Sequence, residues 1–154
     1  MHLFVVRHAK AGSRHEWDGP DHLRPLSKKG RRQADALMKL LVDRRIERVL
    51  SSPYVRCVET VQPLADKLGL RVESAHDLAE GANAEEAMAL VRRLTGTDAV
   101  LCSHGDVIPS ILDALTSQDR LELPPGYPLP KGSTWDLTGE NGTYMAARYI
   151  PPPA

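Results

Sequence analysis

Residues 1–12 read Met-His-Leu-Phe-Val-Val-Arg-His-Ala-Lys-Ala-Gly, and the rest of the chain is organised around them. Leu3 to Val6 form an uninterrupted apolar run rich in β-branched and aromatic residues, which predicts a short buried β-strand. Arg7 and His8 follow at its carboxyl end, just before small residues that allow a turn. In open α/β sheets, ligands bind in the crevice beyond the carboxyl ends of the strands. The stretch therefore predicts a strand that ends in a ligand site.

The Arg7–His8 pair suits phosphoryl transfer. A neutral imidazole can attack phosphorus, and a guanidinium can hold two phosphate oxygens while charge redistributes among them. A partly exposed polar pair at a strand end is the alternative, and it explains a single dipeptide of this kind equally well. The decision between the two interpretations depends on the other elements of the chain.

Length and composition indicate one ordinary globular domain. The 154 residues predict a single domain over residues 1–150, with a short tail at 151–154. Lys plus Arg and Asp plus Glu number 20 each, so the formal net charge is zero. Without a long-range field, we expect neither nucleic acid nor a membrane surface as a partner. Any anion site must be local.

Cysteine usage and hydropathy predict the compartment. Cys57 and Cys102 lie far apart and outside any CxxC pattern, which predicts two buried free thiols rather than a disulfide or a metal site. No signal-peptide pattern is recognisable, and no apolar run approaches the roughly 20 residues of a membrane span. We therefore expect a soluble cytoplasmic protein, as a monomer or weak homodimer.

A loop and a helix follow the first strand. Ser13 to Pro25 are polar and rich in turn formers, which predicts a loop beside the site. Ser27 is placed to cap a helix, and apolar residues then recur at helical spacing through about Asp43. A loop in this position is suited to contacting a substrate.

The second strand–helix junction adds another cation. Arg48 to Ser51 predict a short strand, and Ser52 and Pro53 predict the N-cap and first residue of the next helix. Arg56 then falls in the first turn, beside free backbone N–H groups that can bind an anion. A solvated surface arginine is the alternative, but a cation is electrostatically unfavourable at this end of a helix. We therefore favour a functional interpretation.

Proline and glycine predict how this second helix continues. Pro63 lies inside the apolar pattern, so we expect the helix to kink or restart near Gln62 before Gly69 ends it. Beyond it, the patterns predict a weak edge strand at 70–74, a loop at 75–83 and a helix at 84–94.

A third junction repeats the arrangement of the first. Residues 99–102 are continuously apolar, which predicts a central strand covered on both faces. His104 and Gly105 follow it, and Asp106 is placed to cap the next helix. A core histidine bonded to the backbone is the alternative for His104, but it must explain why a strand-end histidine occurs twice.

The last part of the chain predicts a β-hairpin. Residues 121–131 contain four prolines and predict a stiff surface loop. Residues 132–137 and 143–150 alternate between apolar and polar around a glycine-containing turn, as in a hairpin. Lys131 either faces the site or caps the loop, and the sequence leaves both open.

Four short motifs, taken in order, resemble one known family. The motifs are Arg7-His8-Ala9, Arg24-Pro25-Leu26-Ser27-x-x-Gly30, Ser51-Ser52-Pro53-x-x-Arg56-x-x-x-Thr60 and Ser103-His104-Gly105. Their order and spacing resemble the histidine phosphatase superfamily, and most closely its small branch of SixA-type phosphohistidine phosphatases. The resemblance covers essentially the whole chain. The segment Lys131-Gly-Ser-Thr-Trp135 also looks like the phosphatase-like domain of some bacterial Nudix hydrolases, although these residues include no Nudix segment.

This resemblance implies a fold and an activity. The implied fold is α/β, a three-layer α/β/α sandwich with a mostly parallel central sheet and a carboxyl-terminal β-hairpin, of the phosphoglycerate mutase-like type. His8 would be the nucleophile that becomes phosphorylated, Arg7 and Arg56 would clamp the phosphoryl oxygens, and His104 would donate to them. Two nearby guanidiniums favour the neutral form of His8 that attack requires. They also supply the positive charge that a metal supplies elsewhere, so no cofactor or metal is expected.

The resemblance also implies an acid and flanking contacts. Family members that cleave esters protonate the leaving oxygen with a carboxylic acid, and Glu80 is the candidate here, with Asp77 behind it. A solvated loop carboxylate is an equal alternative for Glu80. Lys10, Ser13, Arg14, Gly105 and Lys131 are expected to flank the phosphate, with a surface role as the alternative for the first three.

The leading prediction is a metal-independent phosphatase acting on a phosphorylated protein or a small phosphorylated metabolite. The alternatives are a nucleotide or small-molecule phosphomonoesterase, and a phosphate-binding module without turnover, which intact His8 and His104 argue against. A zinc enzyme built from His8, His104 and Asp106 is a weaker alternative, because the histidines lack HxH or HExxH spacing; activity surviving a chelator would exclude it. Mutase activity would need long enclosing insertions, for which the chain is too short.

Overall fold

The apolar run at the start of the chain forms a central strand of the sheet. The computed structural model describes residues 1–153. Strand β1 spans His2–Arg7. It pairs in parallel with β4, Ala99–Ser103, and antiparallel with β5, Thr134–Glu140. Every residue of β4 is buried, as expected for a strand covered on both faces.

Three further strands complete a six-stranded sheet. They are β2, Arg48–Ser51, β3, Val72–Ser74, and β6, Thr143–Ile150. The strand order is β3-β2-β4-β1-β5-β6, in which the first four strands are parallel and β5 and β6 form an antiparallel hairpin. Asn141 and Gly142 turn this hairpin with φ values of 55° and 80°, in the left-handed region that such two-residue turns require. The predicted edge strand and hairpin are both confirmed.

Four helices cover the two faces of the sheet. Helix α1 spans Lys28–Leu41, α2 Val55–Leu68, α3 Ala84–Arg93 and α4 Val107–Gln118. The Ser27 hydroxyl accepts a hydrogen bond from the Gly30 N–H, so the predicted cap of α1 is confirmed. No helix in the described part of the chain has the length and apolar composition of a membrane span.

Alternate residues of β1 divide the core into two halves. Leu3 and Val5 pack with apolar residues of α3 and α4, whereas Phe4 and Val6 pack with those of α1 and α2. This alternation follows from the two-residue period of a strand. The result is a three-layer α/β/α sandwich with a mostly parallel sheet, which confirms the predicted fold class.

The predicted start of α2 is wrong, and of the two outcomes predicted at Pro63, a kink or a restart, the restart does not occur. The helix begins at Val55 with Tyr54 as its N-cap residue, so Ser52 and Pro53 lie before it. The Ser52 hydroxyl is 2.8 Å from the His104 ring and accepts a hydrogen bond from the Tyr54 N–H at 3.2 Å, in the turn before the helix. Pro63 does not restart the helix either, because α2 runs continuously to Leu68. Burial of its apolar face against the sheet holds the helix together across the missing backbone hydrogen bond.

Two smaller predictions have mixed outcomes. Cys57 and Cys102 are buried free thiols, as predicted. Asp106 occupies the N-cap position of α4, but its side chain does not cap that helix. Its carboxylate accepts a hydrogen bond from the Gly81 N–H at 2.8 Å and so holds the neighbouring loop instead.

Candidate active site

The carboxyl ends of β1, β2 and β4 meet at one edge of the sheet. Parallel register pairs Arg7 with Ser103 and Ser51 with Cys102, so the residues that follow these strands lie side by side. The His8 N–H donates to the Ser103 carbonyl at 3.1 Å. A pocket of about 290 Å³ opens at this edge. Ten residues line it: Arg7, His8, Arg14, Arg24, Arg56, Glu80, His104, Gly105, Asp106 and Lys131.

His8 is a buried, neutral imidazole. Its Nδ1 lies 2.8 Å from the Ala9 carbonyl oxygen. A carbonyl can only accept, so Nδ1 carries the proton and Nε2 keeps a lone pair. The pKa of His8 is lowered to about 3: burial is the largest cause, and His104, Arg56 and Arg7 act in the same direction, against the opposing effect of the Ala9 hydrogen bond. His8 is therefore unprotonated at neutral pH.

Arg7 lies against Gly105 and the proline-rich loop. Its Nη1 donates to the Leu129 carbonyl at 2.8 Å. A Cβ atom at position 105 would come within 2.7 Å of the guanidinium carbon, so a side chain there would displace the guanidinium from its present position. Burial lowers the pKa of Arg7.

Arg56 is almost completely buried, with 1% of its surface exposed. Its Nη1 donates to the Asp21 carbonyl at 3.1 Å, and its Nη2 lies 3.2 Å from the Asp21 carboxylate and 3.3 Å from that of Glu80. The guanidinium carbon also lies 4.9 Å from the centre of the Tyr54 ring. These contacts fix the guanidinium in one orientation.

Three buried nitrogen atoms at this edge remain unpaired. Within residues 1–153, Nε of Arg7, Nε of Arg56 and Nδ1 of His104 are buried without a hydrogen-bond partner. The rings of His8 and His104 have their centres 5.5 Å apart at an interplanar angle of 64°. Buried polar atoms are normally paired, so unpaired nitrogen atoms on three residues that line one pocket suit a ligand rich in acceptors. A phosphoryl group has that chemistry.

The two candidate acids, Glu80 and Asp77, differ in their position relative to the pocket. Glu80 lies on the pocket wall beside Arg56, with 40% of its side-chain surface exposed. Asp77 instead pairs with Arg93 at 3.2 Å and does not line the pocket. Of the two, Glu80 alone lines the pocket.

Only some of the residues that were predicted to flank the phosphate line the pocket. Arg14, Gly105 and Lys131 line the pocket, whereas Lys10 and Ser13 do not. Lys10 lines a separate cavity that shares Lys131, and Ser13 lines a shallower one that shares Arg24. Burial lowers the pKa of Lys131, as do the charges of the four surrounding arginines.

Sequence reasoning did not select Arg24 and Asp21 as site residues. Arg24 is 5% exposed and lines the pocket, donating from Nε to Asp21 at 3.0 Å and from Nη1 to the Gly12 carbonyl at 2.7 Å. Burial alone raises the pKa of Asp21, but the hydrogen bond from Arg24 and the charges of Arg56, Arg24 and Arg14 outweigh it, so the pKa is lowered. The motif that begins at Arg24 was the available signal, whereas nothing in the loop sequence marked Asp21.

Metal-ligating side chains do not gather here. Within residues 1–153, no group of three or more His, Cys, Asp or Glu side chains has an arrangement that could hold a metal ion. Five of the ten lining residues are Arg or Lys, and two are Asp or Glu. The positive charge of the pocket therefore comes from the chain itself.

The fold and this pocket define a class of protein, an α/β enzyme that handles phosphoryl groups. The sequence model of the histidine phosphatase superfamily (branch 1) matches residues 3–89. The chain belongs to that superfamily. This match confirms the family predicted from the four motifs.

Known proteins resemble the chain along its whole length. The 8-oxo-(d)GTP phosphatase of Mycolicibacterium smegmatis is 34% identical over 156 residues, which cover 98% of this chain and 48% of that protein. The chain thus spans about half the length of this relative. The tungstate complex of the protein histidine phosphatase SixA has a TM-score of 0.79 at 26% identity, covering 99% of this chain and 97% of that one. It supports the predicted SixA-like branch.

A more distant structure supports the fold alone. A mycobacterial glucosyl-3-phosphoglycerate phosphatase has a TM-score of 0.75 at 20% identity, with 99% of each chain covered. Similar folds thus occur in proteins named for different substrates, so the fold alone does not identify the substrate.

Proposed function

We propose that the protein hydrolyses phosphoryl groups without a metal, through a covalent phosphohistidine at His8. The observation that carries this proposal is the hydrogen bond from His8 Nδ1 to the Ala9 carbonyl at 2.8 Å. It leaves the Nε2 lone pair as the reactive atom of a ring whose pKa is lowered to about 3. A weak base held neutral in this way is ready to attack without first losing a proton.

The reaction has two steps. In the first, Nε2 of His8 forms a bond to phosphorus, the bond to the leaving oxygen or nitrogen breaks, and the leaving group takes its electron pair and a proton from Glu80. In the second, water attacks the phosphohistidine, the electrons of the phosphorus–nitrogen bond return to Nε2, and the water proton passes to the Glu80 carboxylate. Inorganic phosphate leaves and His8 is restored. This cycle is consistent with acid–base catalysis by one carboxyl group.

Arg7, Arg56 and His104 stabilise the transferred group. Each has a buried nitrogen without a protein partner, which suits the oxygens of a phosphoryl group better than water or a neutral ligand. Binding of that group would also engage Arg56 and loosen its contact with Glu80, now 3.3 Å long. Glu80 is then free to turn towards the leaving group.

We expect Glu80→Gln to separate two kinds of substrate. An alkoxide leaves poorly without a proton, so kcat/KM on an alkyl phosphoester should fall by about 10²-fold or more. A phosphorylated imidazole leaves more readily, so the loss on a phosphoramidate should stay below about 10-fold. The kcat/KM comparison is appropriate because it reports on steps up to transfer onto His8.

Asp77→Asn is the matched control, because Asp77 pairs with Arg93 and lies off the pocket. It should change neither value appreciably. Small and equal losses on both substrates in Glu80→Gln would dismiss Glu80 as the leaving-group acid.

For the natural substrate, we propose phosphohistidine in a protein. A pocket of about 290 Å³ lies at the small end of ligand sites, which run from about 300 to 1,000 Å³. It accommodates the phosphoryl group and the atoms to which that group is bonded, and it leaves the remainder of the substrate at the protein surface. Similarity to SixA supports the same class.

A nucleotide is the second candidate, and Trp17 favours it. Trp17 is 36% exposed and lines a small cavity with Pro25 that shares Arg24 with the catalytic pocket. Its indole N–H donates to the Pro20 carbonyl at 2.9 Å, which holds the ring in place. An oriented aromatic ring beside a cation can stack on a nucleobase. Similarity to the 8-oxo-(d)GTP phosphatase supports this class too.

Trp17→Ala distinguishes the two candidates. For a nucleotide substrate, loss of stacking should raise KM about 10-fold on a nucleoside phosphate and leave a phosphohistidine peptide unaffected. Leu23→Ala, which truncates another exposed apolar residue of the same loop, is the control. Equal KM values for wild type and Trp17→Ala on the nucleotide would remove the support that Trp17 gives to this candidate.

A further inference from the structure

His104 is bonded through one ring nitrogen only. Its Nε2 lies 2.8 Å from the Ser52 hydroxyl oxygen and 3.5 Å from the Cys57 sulfur. Its Nδ1 is among the unpaired buried atoms of the pocket edge. Ser52 and His104 are 0% and 2% exposed, so water cannot complete their hydrogen bonding from outside. The tautomer of His104 is therefore set by protein groups.

The Ser52 hydroxyl decides which tautomer that is. Its oxygen accepts a hydrogen bond from the Tyr54 N–H at 3.2 Å and lies 2.8 Å from His104 Nε2, and the hydroxyl also contacts the Cys57 sulfur, whose pKa it helps to lower. If Nε2 carried a proton, the hydroxyl proton would be left with only the Cys57 sulfur, a poorer acceptor than a ring nitrogen, which is unfavourable. If Nε2 keeps its lone pair, the hydroxyl donates to it and both groups are satisfied.

We propose that Ser52 is a positioning residue that fixes His104 as the tautomer protonated on Nδ1, so that this N–H donates to the phosphoryl group at His8. The role of the phosphoryl group rests on the proposed function, whereas the tautomer does not. The opposite tautomer would present a lone pair to phosphoryl oxygens and repel them. Ser52 thus acts on the reaction through His104 without touching substrate.

Cys57 is a weaker candidate for the same role. Its sulfur also approaches Nε2, but the distance of 3.5 Å is long beside the 2.8 Å of Ser52. Burial raises the pKa of this thiol, but hydrogen bonds with Cys102, His104 and Ser52 outweigh it and lower the pKa. Cys57 therefore competes as an acceptor of a proton on Nε2, which is the tautomer that the proposal excludes. Ser51 is the matched control for Ser52, since it is equally buried and its hydroxyl donates to the Ser52 carbonyl rather than to the His104 ring.

The test is an NMR measurement on the full chain labelled with nitrogen-15 at histidine. Two-bond correlations from the ring carbon-bound protons distinguish a protonated ring nitrogen from one with a lone pair. We expect His104 in wild type and in Ser51→Ala to carry its proton on Nδ1. In Ser52→Ala, we expect a mixture or the opposite tautomer. A proton on Nε2 in the wild type, or an unchanged tautomer in Ser52→Ala, would overturn the proposal.

Kinetics supply the second measurement. We expect Ser52→Ala to lower kcat on a phosphoramidate by about 10-fold with little change in KM. This loss is smaller than the loss expected when a hydrogen-bond donor to the phosphoryl group is itself removed. Ser52→Thr keeps the hydroxyl and should restore both the tautomer and much of kcat. If Ser52→Ala does not fold, the wild-type tautomer still decides. The predicted tautomer in a chain that never phosphorylates His8 would support the Ser52–His104 contact and contradict the proposed function.

Discussion

Replacing His8 by asparagine should abolish turnover, with kcat falling by about 10⁴-fold or more. The asparagine amide can still donate to the Ala9 carbonyl, but it offers no lone pair able to form a bond to phosphorus. Arg7, Arg56 and His104 would remain to bind a phosphoryl group. The measurement is the rate of phosphate release from a phosphoramidate at saturating substrate.

His76→Asn controls for the general effect of losing a histidine, because His76 is exposed and lies off the pocket. It should keep wild-type turnover. Binding of inorganic phosphate by His8→Asn, measured by calorimetry, should persist, since the guanidiniums are unchanged. Substantial turnover by folded His8→Asn would mean that the nucleophile is another group.

Replacing Arg56 by alanine should produce the second largest loss, about 10²- to 10³-fold in kcat/KM. Arg56 is the most deeply buried cation of the pocket, and its Nε is one of the three unpaired donors. Its removal also leaves Asp21 and Glu80 without the positive charge that lies between them, so the pocket becomes less favourable for an anionic substrate. Phosphate affinity should therefore fall together with the rate.

Arg48→Ala is the matched control for Arg56→Ala. Arg48 donates to Glu73 through Nε at 3.0 Å and Nη2 at 2.7 Å, and does not line the pocket. It should leave kcat/KM within a small factor of wild type. Equal activity in Arg56→Ala and Arg48→Ala, with both proteins folded, would contradict the assignment of Arg56 to the phosphoryl group.

The convergence of three distant motifs could be predicted from sequence, because it depends on a general property of parallel sheets. Arg7 ends one strand, His104 follows another, and Arg56 lies at the start of the helix that follows a third. These three strands run in the same direction, so the three residues lie at the same edge of the sheet. Apolar runs identified the strands, and the strands fixed the edge. Side-chain detail was not needed for this step.

The loop contributions could not be predicted in the same way. Asp21 reaches Arg24 and Arg56 from a segment without periodicity, and neither its composition nor its spacing distinguishes it from the other acidic residues nearby. Trp17 lies in the same segment and could not be predicted for the same reason. Lys10 and Ser13 were expected at the phosphate, but they line neighbouring cavities instead. In loops, sequence proximity to a site is a poor guide to contact with it.

Ser52 illustrates a different limit of sequence reasoning. A serine before a proline fits the start of a helix, and this pattern predicted a cap. In the structure its hydroxyl contacts His104, 52 positions along the chain, and α2 begins three residues later than Ser52. The long-range hydrogen bond outweighs the local preference because both groups are buried and each satisfies the other.

The most direct test of the central claim is to trap the phosphorylated enzyme. Wild-type protein mixed with a substrate carrying radioactive phosphate and quenched within one turnover should carry label on His8, as a bond that is stable in alkali and labile in acid. The label should disappear at the rate of phosphate release and should not form in His8→Asn. Turnover without label on His8, or label on any other residue, would contradict the account.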